Sequence, residues 1–523
     1  MRKPLARTVP ALLAEIAARS PAAPAVTDGT RSWTYAALHA EVQACAGALL
    51  AAGVRHGDRV GILAGNRAEW LIADFAAMSL GAITVGLNTW STARELAYQL
   101  AHAEVSVLFI EPRFRDRDFR ALLDEARAHA GALPALREIV FLGAAGEAGE
   151  FAAFVTRGAD VAPATVAAAA AALDPEDVAC LLYTSGSTAL PKGVPLVHRG
   201  LIDNMWEIGE RQRLTADDRL WLAVSLFWSL ACVNALFALV THGGGIVLQH
   251  HFDAGEALRL IERQRCTVFY GTPNMALALA EHPDRARRDL SSLRTGVTIG
   301  TPAQVARVAE LGAARICNVY GLTETYGNST VTAADLPLAR RIETVGRPLA
   351  GNAIRIRDPA QDVDQPAGTP GEIQVRGNVT RGYWNDPVRT AEAFTADGWF
   401  RSGDLGFVDD EGFLFYRGRL KEMVKTGGIN VAPAEVEEIL AAHPAVELAF
   451  VTGIPDPRLD EALAAVIVPK RGATVEAAAL RAHCQGILAA YKVPRHFLIT
   501  DASALPLTTT GKLQRNRLAA LFA

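Results

Sequence analysis

A chain of 523 residues is too long for one hydrophobic core and long enough for two or three domains. Half of it is hydrophobic and a fifth charged, the balance of a globular protein, and a net charge of -4 from 52 basic and 56 acidic residues gives no reason to expect nucleic acid or an anionic membrane as the main partner. The six cysteines (Cys45, Cys180, Cys232, Cys266, Cys317, Cys484) stand apart with no Cys-x-x-Cys pair, which speaks against a zinc or disulfide framework and for buried small hydrophobes in a reducing, cytoplasmic setting.

In chain order, Met1-Arg2-Lys3 could open a signal peptide, but Glu15 and Arg19 interrupt the apolar run, and Leu12, Leu13 and Ile16 suit one face of a helix. From 30 to 110 the patterns alternate: a strand at 59–63, a helix at 68–80, a strand at 105–110. The Ala-rich piece 163–173 reads as a helix or a solvated connector, and the apolar run 178–182 as a buried strand. The stretch 220–240 holds 21 residues without a charge, enough to span a bilayer. Its Ser225, Ser229 and Asn234, and the glycines 243–245 after it, fit a buried strand followed by a core helix better, so no membrane span is expected. Strands at 245–248, 267–270, 295–299 and 315–319, with helices between them, imply parallel α/β layers. Beyond 345 glycines and short strands (353–357, 372–376, 413–416) suggest a small β-rich, barrel-like subdomain. From 420 on, helices at 434–442 and 475–490 and strands at 448–452 and 464–468 make a compact α+β tail.

The stretch with the most chemistry is Tyr183-Thr184-Ser185-Gly186-Ser187-Thr188-Ala189-Leu190-Pro191-Lys192-Gly193. Glycines let backbone N–H groups curl around an anion, hydroxyls donate to phosphate oxygens, and lysine adds a mobile positive charge. It is not a Walker A loop, because counting from Gly186 puts Pro191 where the second glycine belongs. A polar surface turn is the bland alternative; hydroxyl density after a buried strand favours a phosphate-handling loop.

This segment resembles the signature of the AMP-forming adenylating enzymes, the superfamily of acyl-CoA synthetases, peptide-synthetase adenylation domains and beetle luciferases. Ser187 and Ala189 stand where the common pattern has threonine and glycine. Further segments match the family's motifs. Asn318-Val319-Tyr320-Gly321-Leu322-Thr323-Glu324 resembles the motif in which the tyrosine stacks on adenine, the threonine reaches the α-phosphate and the glutamate helps hold Mg²⁺. Gly300-Thr301-Pro302 resembles the segment on the other side of the adenine. Asp404 resembles the aspartate that accepts both ribose hydroxyls, and Arg419 the arginine that also contacts the nucleotide. Lys421 aligns with the family's hinge, Gly427 and Gly428 with its thiol tunnel, and Lys512, in Gly511-Lys512-Leu513, with the lysine that clamps substrate carboxylate and α-phosphate.

The resemblance covers essentially the whole chain and implies an α/β fold: an adenylating domain over 1–418, of layered α/β subdomains and the small β-rich one, and a mobile C-terminal domain over 419–523. It implies the cofactor and co-substrates ATP, Mg²⁺ and coenzyme A, nucleotide contacts from Thr184, Ser185, Gly186, Ser187, Thr188 and Lys192, and catalytic roles for Lys512, Thr188 and Glu324. A carboxylic acid would become an acyl-adenylate and then a coenzyme A thioester. A carrier-protein phosphopantetheine is the alternative acceptor, and a luciferase-like oxidation the alternative chemistry. Trp228 stands where peptide-synthetase domains carry the aspartate that holds an α-amine, so an amino-acid substrate is disfavoured. Trp228 gates or floors an acyl pocket, with Phe269, Tyr270 and Thr298 as further lining, or is a core aromatic. Aliphatic, aromatic and polycyclic acids all remain open.

Overall fold

The computed structural model describes residues 2–131, 133–143, 149–184, 191–426, 429–457, 459–485, 487–488, 490–507 and 513–522. Two compact units divide the chain: Met1–Ile354 with Val375–Phe400, and Arg355–Gln374 with Arg401–Ala523.

The first unit is built on two sheets. The larger has nine strands in the order Arg347–Pro348, Thr330–Val331, Arg315–Tyr320, Thr295–Thr298, Val268–Tyr270, Arg219–Leu222, Gly245–Leu248, Pro24–Asp28, Arg31–Thr34. From Arg315–Tyr320 to Pro24–Asp28 every neighbour is parallel. The smaller has six, in the order Lys192–Val197, Val178–Thr184, Ile83–Gly86, Arg59–Leu63, Val105–Ile110, Glu138–Phe141. Parallel strands covered on both faces read as unbroken apolar runs, and Val105–Ile110 is buried at every residue. The strand boundaries expected at 59–63, 105–110 and 245–248 are met to the residue, because flat apolar runs between polar turns leave little choice.

The helix Val9–Arg19 turns Leu12, Leu13 and Ile16 into the core, as expected of that face. The Ala-rich piece is a helix, Pro163–Ala171, with only Val166 buried. The uncharged stretch splits into the strand Arg219–Leu222, a seven-residue π-helix, Ser229–Ala235, and the α-helix Leu236–His242. Gly243, at φ 72°, then ends the helix in the left-handed region. Among the described residues no helix is long and apolar enough to cross a membrane.

All six cysteines are free and buried, and burial pushes the Cys266 and Cys317 thiols up to about 12, so they behave as inert apolar groups.

One buried acid carries a prediction. Asp74, on the helix Ala68–Ser79, is 1% exposed, and desolvation lifts its carboxyl to about 7. The folded acid holds its proton more tightly than the unfolded one. The protein therefore loses stability as pH rises from about 4, the unfolded value, through the raised folded value. Asp74→Asn, which never ionises, is expected to match the parent near pH 4 and to exceed it above pH 7, by at most about 4 kcal/mol. Urea titrations at the two pH values measure this; an equal difference at both would show that Asp74 does not titrate this way.

The second unit holds most of a four-stranded sheet in the order Ala353–Arg357, Gly371–Arg376, Phe400–Val408, Leu414–Arg419. Its other sheet follows the path Ile429–Val431, Val424–Thr426, Asp460–Pro469, Val446–Asp456, with His496–Ile499 beside Asp460–Pro469. Val436 and Leu440 of the helix Pro433–Ala441, and Leu480 of Ala477–Gln485, close its core over Val424, Val451, Leu463 and Ile467. The β-rich segment thus belongs to one compact unit with the tail.

Candidate active site

In the first unit, Val178–Thr184 and Lys192–Val197 form an antiparallel pair in which Thr184 stands opposite Lys192 and Tyr183 opposite Gly193. The hydroxyl-rich loop is therefore the connection of a hairpin, closed at its mouth by Thr184 and Lys192. Ser185, Gly186, Ser187 and Thr188 lie outside the described residues.

The second cluster comes from two adjacent parallel strands, Thr295–Thr298 and Arg315–Tyr320, with Thr298 in register with Asn318. Ligands of open α/β sheets bind beyond the carboxyl ends of such strands. The first strand leads through Gly300 into the helix Pro302–Glu310. Thr301 caps it in a reciprocal box: the Thr301 N–H donates to Gln304 Oε1 at 2.9 Å, and the Gln304 N–H to Thr301 Oγ1 at 3.4 Å. Gly300-Thr301-Pro302 is thus a capped helix start at the carboxyl end of that strand. The second strand ends at Tyr320, and the turn Thr323–Thr325 follows. A Cβ on Gly321 would lie 2.4 Å from the Gly327 carbonyl oxygen, so this position takes only glycine. Asn318 is 2% exposed and spends its amide inside the fold, donating from Nδ2 to the Thr344 carbonyl at 3.0 Å.

Glu324 is 8% exposed. Its Oε1 accepts the Tyr383 hydroxyl at 2.9 Å, and its carbonyl accepts the Thr380 N–H at 2.7 Å. Thr323 Oγ1 lies 3.3 Å from Ser229 Oγ, the first residue of the π-helix. Trp228 caps that helix and is half-buried, in an aromatic group with Phe227 and Trp90; its ring centroid is 5.5 Å from that of Trp90. π-Helical geometry is rare and is frequently found at functional sites. Of the four expected pocket residues, Phe269, Tyr270 and Thr298 are fully buried. The Tyr270 hydroxyl accepts from Gln212 Nε2 at 2.7 Å and donates to Asn234 Oδ1 at 3.0 Å, and Thr298 Oγ1 donates to the Gly271 carbonyl at 3.0 Å. Of these four, Trp228 alone has open side-chain surface.

In the second unit, Asp404 and Arg419 are cross-strand partners, with Arg419 Nε 2.8 Å from Asp404 Oδ1. Asp404 is buried and the arginine half-exposed. Lys421, exposed, sits in the turn Leu420–Glu422 directly after that strand. Gly427, Gly428 and Lys512 lie outside the described residues. Around the last, the chain is pinned on both sides. Leu507 and Leu513 form a β-bridge, the Gln514 N–H donates to the Pro506 carbonyl at 2.7 Å, and Arg515 grips both oxygens of Glu437 at 2.6 and 2.8 Å.

Two family patterns match the chain: the AMP-binding enzymes over residues 13–384, and the C-terminal domain of the same enzymes over 435–512. The chain belongs to the AMP-binding enzymes. Similar proteins include a methyl-dioxo-octahydroindenyl propanoyl:CoA ligase of Mycobacterium tuberculosis, 37% identical with 98% of each chain covered. A feruloyl-CoA synthase of an Amycolatopsis species is 36% identical, with 96% of each covered. Among solved structures, ATP-bound MatB of Rhodopseudomonas palustris superposes with a TM-score of 0.86 at 29% identity, over 98% of this chain and 99% of that one.

For an AMP-binding enzyme, the donor set at Glu324 suits Mg²⁺. It offers one hard carboxylate, held in place from one side by the Tyr383 hydroxyl. Mg²⁺ is commonly bound this way, by one or two carboxylates with substrate phosphates completing the shell. Trp90 and Tyr383 escape a reading of the sequence. Trp90 sits in the polar run Asn88-Thr89-Trp90-Ser91-Thr92, and an aromatic isolated among turn residues is the one signal it offers.

Proposed function

We infer that this AMP-binding enzyme is an ATP-dependent, AMP-forming acid–CoA ligase. The observation that carries this is the family match over nearly the whole chain, with the nucleotide motifs standing at the carboxyl ends of adjacent parallel strands. In the first step a substrate carboxylate oxygen attacks the α-phosphorus of ATP and pyrophosphate leaves. In the second, the coenzyme A thiol attacks the acyl carbon, giving thioester and AMP and releasing the thiol proton.

The chain's own groups then have definite roles. Thr184 and Lys192 hold the mouth of the loop whose Ser185, Gly186, Ser187 and Thr188 receive the phosphates. Tyr320 and Gly300-Thr301-Pro302 flank the adenine, with Asn318 holding the strand that carries Tyr320. Thr323 reaches the α-phosphate. Asp404 takes the ribose hydroxyls, with Arg419 fixing its carboxylate. Glu324 holds Mg²⁺, which would neutralise the polyphosphate charge when bound. Lys512 bridges carboxylate and α-phosphate in the first step. In the second, the C-terminal domain, turning about Lys421 at the 418/419 border, presents Gly427 and Gly428 to the thiol instead. The reaction takes place in the cytoplasm. Coenzyme A is favoured over a carrier protein, since the similar ligases are named for it.

The acid is proposed to be apolar. The half-buried Trp90 and Trp228 rings, packed with the buried Phe227, offer carbon surface, and the segment Ala223 to Ser229 holds no acid to meet an ammonium. The test is pyrophosphate release over a panel of aliphatic, aromatic and polycyclic acids, followed by detection of the thioester. If acids support release but no acyl-CoA forms, the carrier-protein acceptor takes its place; if none supports release, the reading falls. Trp228→Ala is expected to alter which acids are accepted while ATP use persists. An unchanged acid profile together with a lowered Tm would make Trp228 a packing residue.

A further inference from the structure

The segment Thr380–Trp384 is distant in sequence from both phosphate elements and is stitched to each. Toward the hairpin, the Trp384 N–H donates to the Gly193 carbonyl at 2.8 Å, and Thr380 Oγ1 donates to the Pro195 carbonyl at 2.8 Å. Toward the Thr323–Thr325 turn, the Thr380 N–H donates to the Glu324 carbonyl at 2.7 Å. Between these anchors stands Tyr383, 9% exposed, touching one charged side chain from each element. Its hydroxyl donates to Glu324 Oε1 at 2.9 Å, and the Lys192 ammonium sits 4.5 Å from the centre of its ring.

We propose that Tyr383 is a positioning residue for adenylation, one side chain that sets both the Glu324 carboxylate and the Lys192 ammonium for the polyphosphate. The two contacts are chemically independent. A hydrogen bond at one oxygen fixes the plane of a carboxylate and so the direction in which its other oxygen faces a cation. The ring face attracts an ammonium through its quadrupole, which keeps a long flexible lysine from sampling water. The proposal rests on Glu324 being the Mg²⁺-side carboxylate.

The two contacts separate by substitution. Tyr383→Phe keeps the ring and loses the hydroxyl; Tyr383→Leu loses both. The readout is equilibrium binding of a non-hydrolysable ATP analogue with Mg²⁺ and with EDTA, alongside Tm. For Tyr383→Phe, the tightening of analogue binding by Mg²⁺ is expected to shrink by about tenfold, the order of one hydrogen bond to a charged group. Metal-free binding should be unchanged. Tyr383→Leu should weaken metal-free binding as well. Glu324→Gln serves as the reference. If it removes the Mg²⁺ effect while Tyr383→Phe leaves it intact, the positioning role is overturned and the metal role of Glu324 stands. If Glu324→Gln leaves the Mg²⁺ effect intact, the reading of Glu324 fails and the proposal with it. A Tyr383→Phe protein that only melts earlier, with parental binding in both conditions, makes the tyrosine a packing residue.

Discussion

Replacing Lys512 by alanine is expected to slow acyl-adenylate formation by about 10²-fold or more, the scale of losing one preorganised charge-stabilising donor. Conversion of supplied acyl-adenylate and coenzyme A to thioester should be nearly untouched. The asymmetry follows from charge. In the first step two anions, a carboxylate and a polyphosphate, must be brought within bonding distance, and a cation between them offsets their repulsion at the moment of attack. In the second step the acyl group is already bound to AMP, and the attacking thiol meets a neutral carbonyl carbon. Lys421→Pro, which restricts the backbone at the proposed hinge, should bias the enzyme the opposite way, slowing the second step more than the first. Single-turnover assays of each half-reaction read both variants. Equal loss in the two halves for Lys512→Ala would contradict a lysine that serves adenylation alone.

Short motifs are visible because their chemistry is local: glycine at 321 has no room for a side chain, and Thr301 and Gln304 cap each other three residues apart. The parallel sheets are visible for a similar reason, since runs such as Val105–Ile110 are apolar throughout. What stays hidden depends on distance along the chain. Tyr383 meets Glu324 across 59 positions, and no period or spacing announces that pairing. Trp90 meets Trp228 across a larger gap. The π-helix Ser229–Ala235 is hidden for another reason: Ser-Leu-Ala-Cys-Val-Asn-Ala suits an ordinary helix, and nothing in its spacing marks the wider turn. Phe269 and Tyr270 show the limit of reading a pocket from a strand end. The sequence suggests both as lining, yet their side chains are fully enclosed, and the Tyr270 hydroxyl is occupied by Gln212 and Asn234.

Glu324→Gln is expected to lower adenylation at least tenfold at ordinary Mg²⁺ concentration, from loss of a charged contact to the metal–phosphate complex. Thioester formation from supplied acyl-adenylate should change far less, because pyrophosphate leaves after the first step. That half-reaction profile is the one expected of Lys512→Ala, so a second measurement has to separate the two. A neutral amide oxygen remains a metal donor, only a weaker one, and raising Mg²⁺ should restore part of the Glu324→Gln rate. It should restore none of the Lys512→Ala rate, where the missing charge lies between carboxylate and α-phosphate. The substitution is also close to isosteric. Tyr383 can still donate to the amide oxygen of glutamine, and the Thr380 N–H bond is made to the backbone carbonyl, so the turn should persist. A Tm near that of the parent checks this. A Glu324→Gln enzyme whose adenylation rate stays low at every Mg²⁺ concentration, with Tm preserved, would show that the carboxylate acts on the substrate phosphates or the incoming acid and not through the cation.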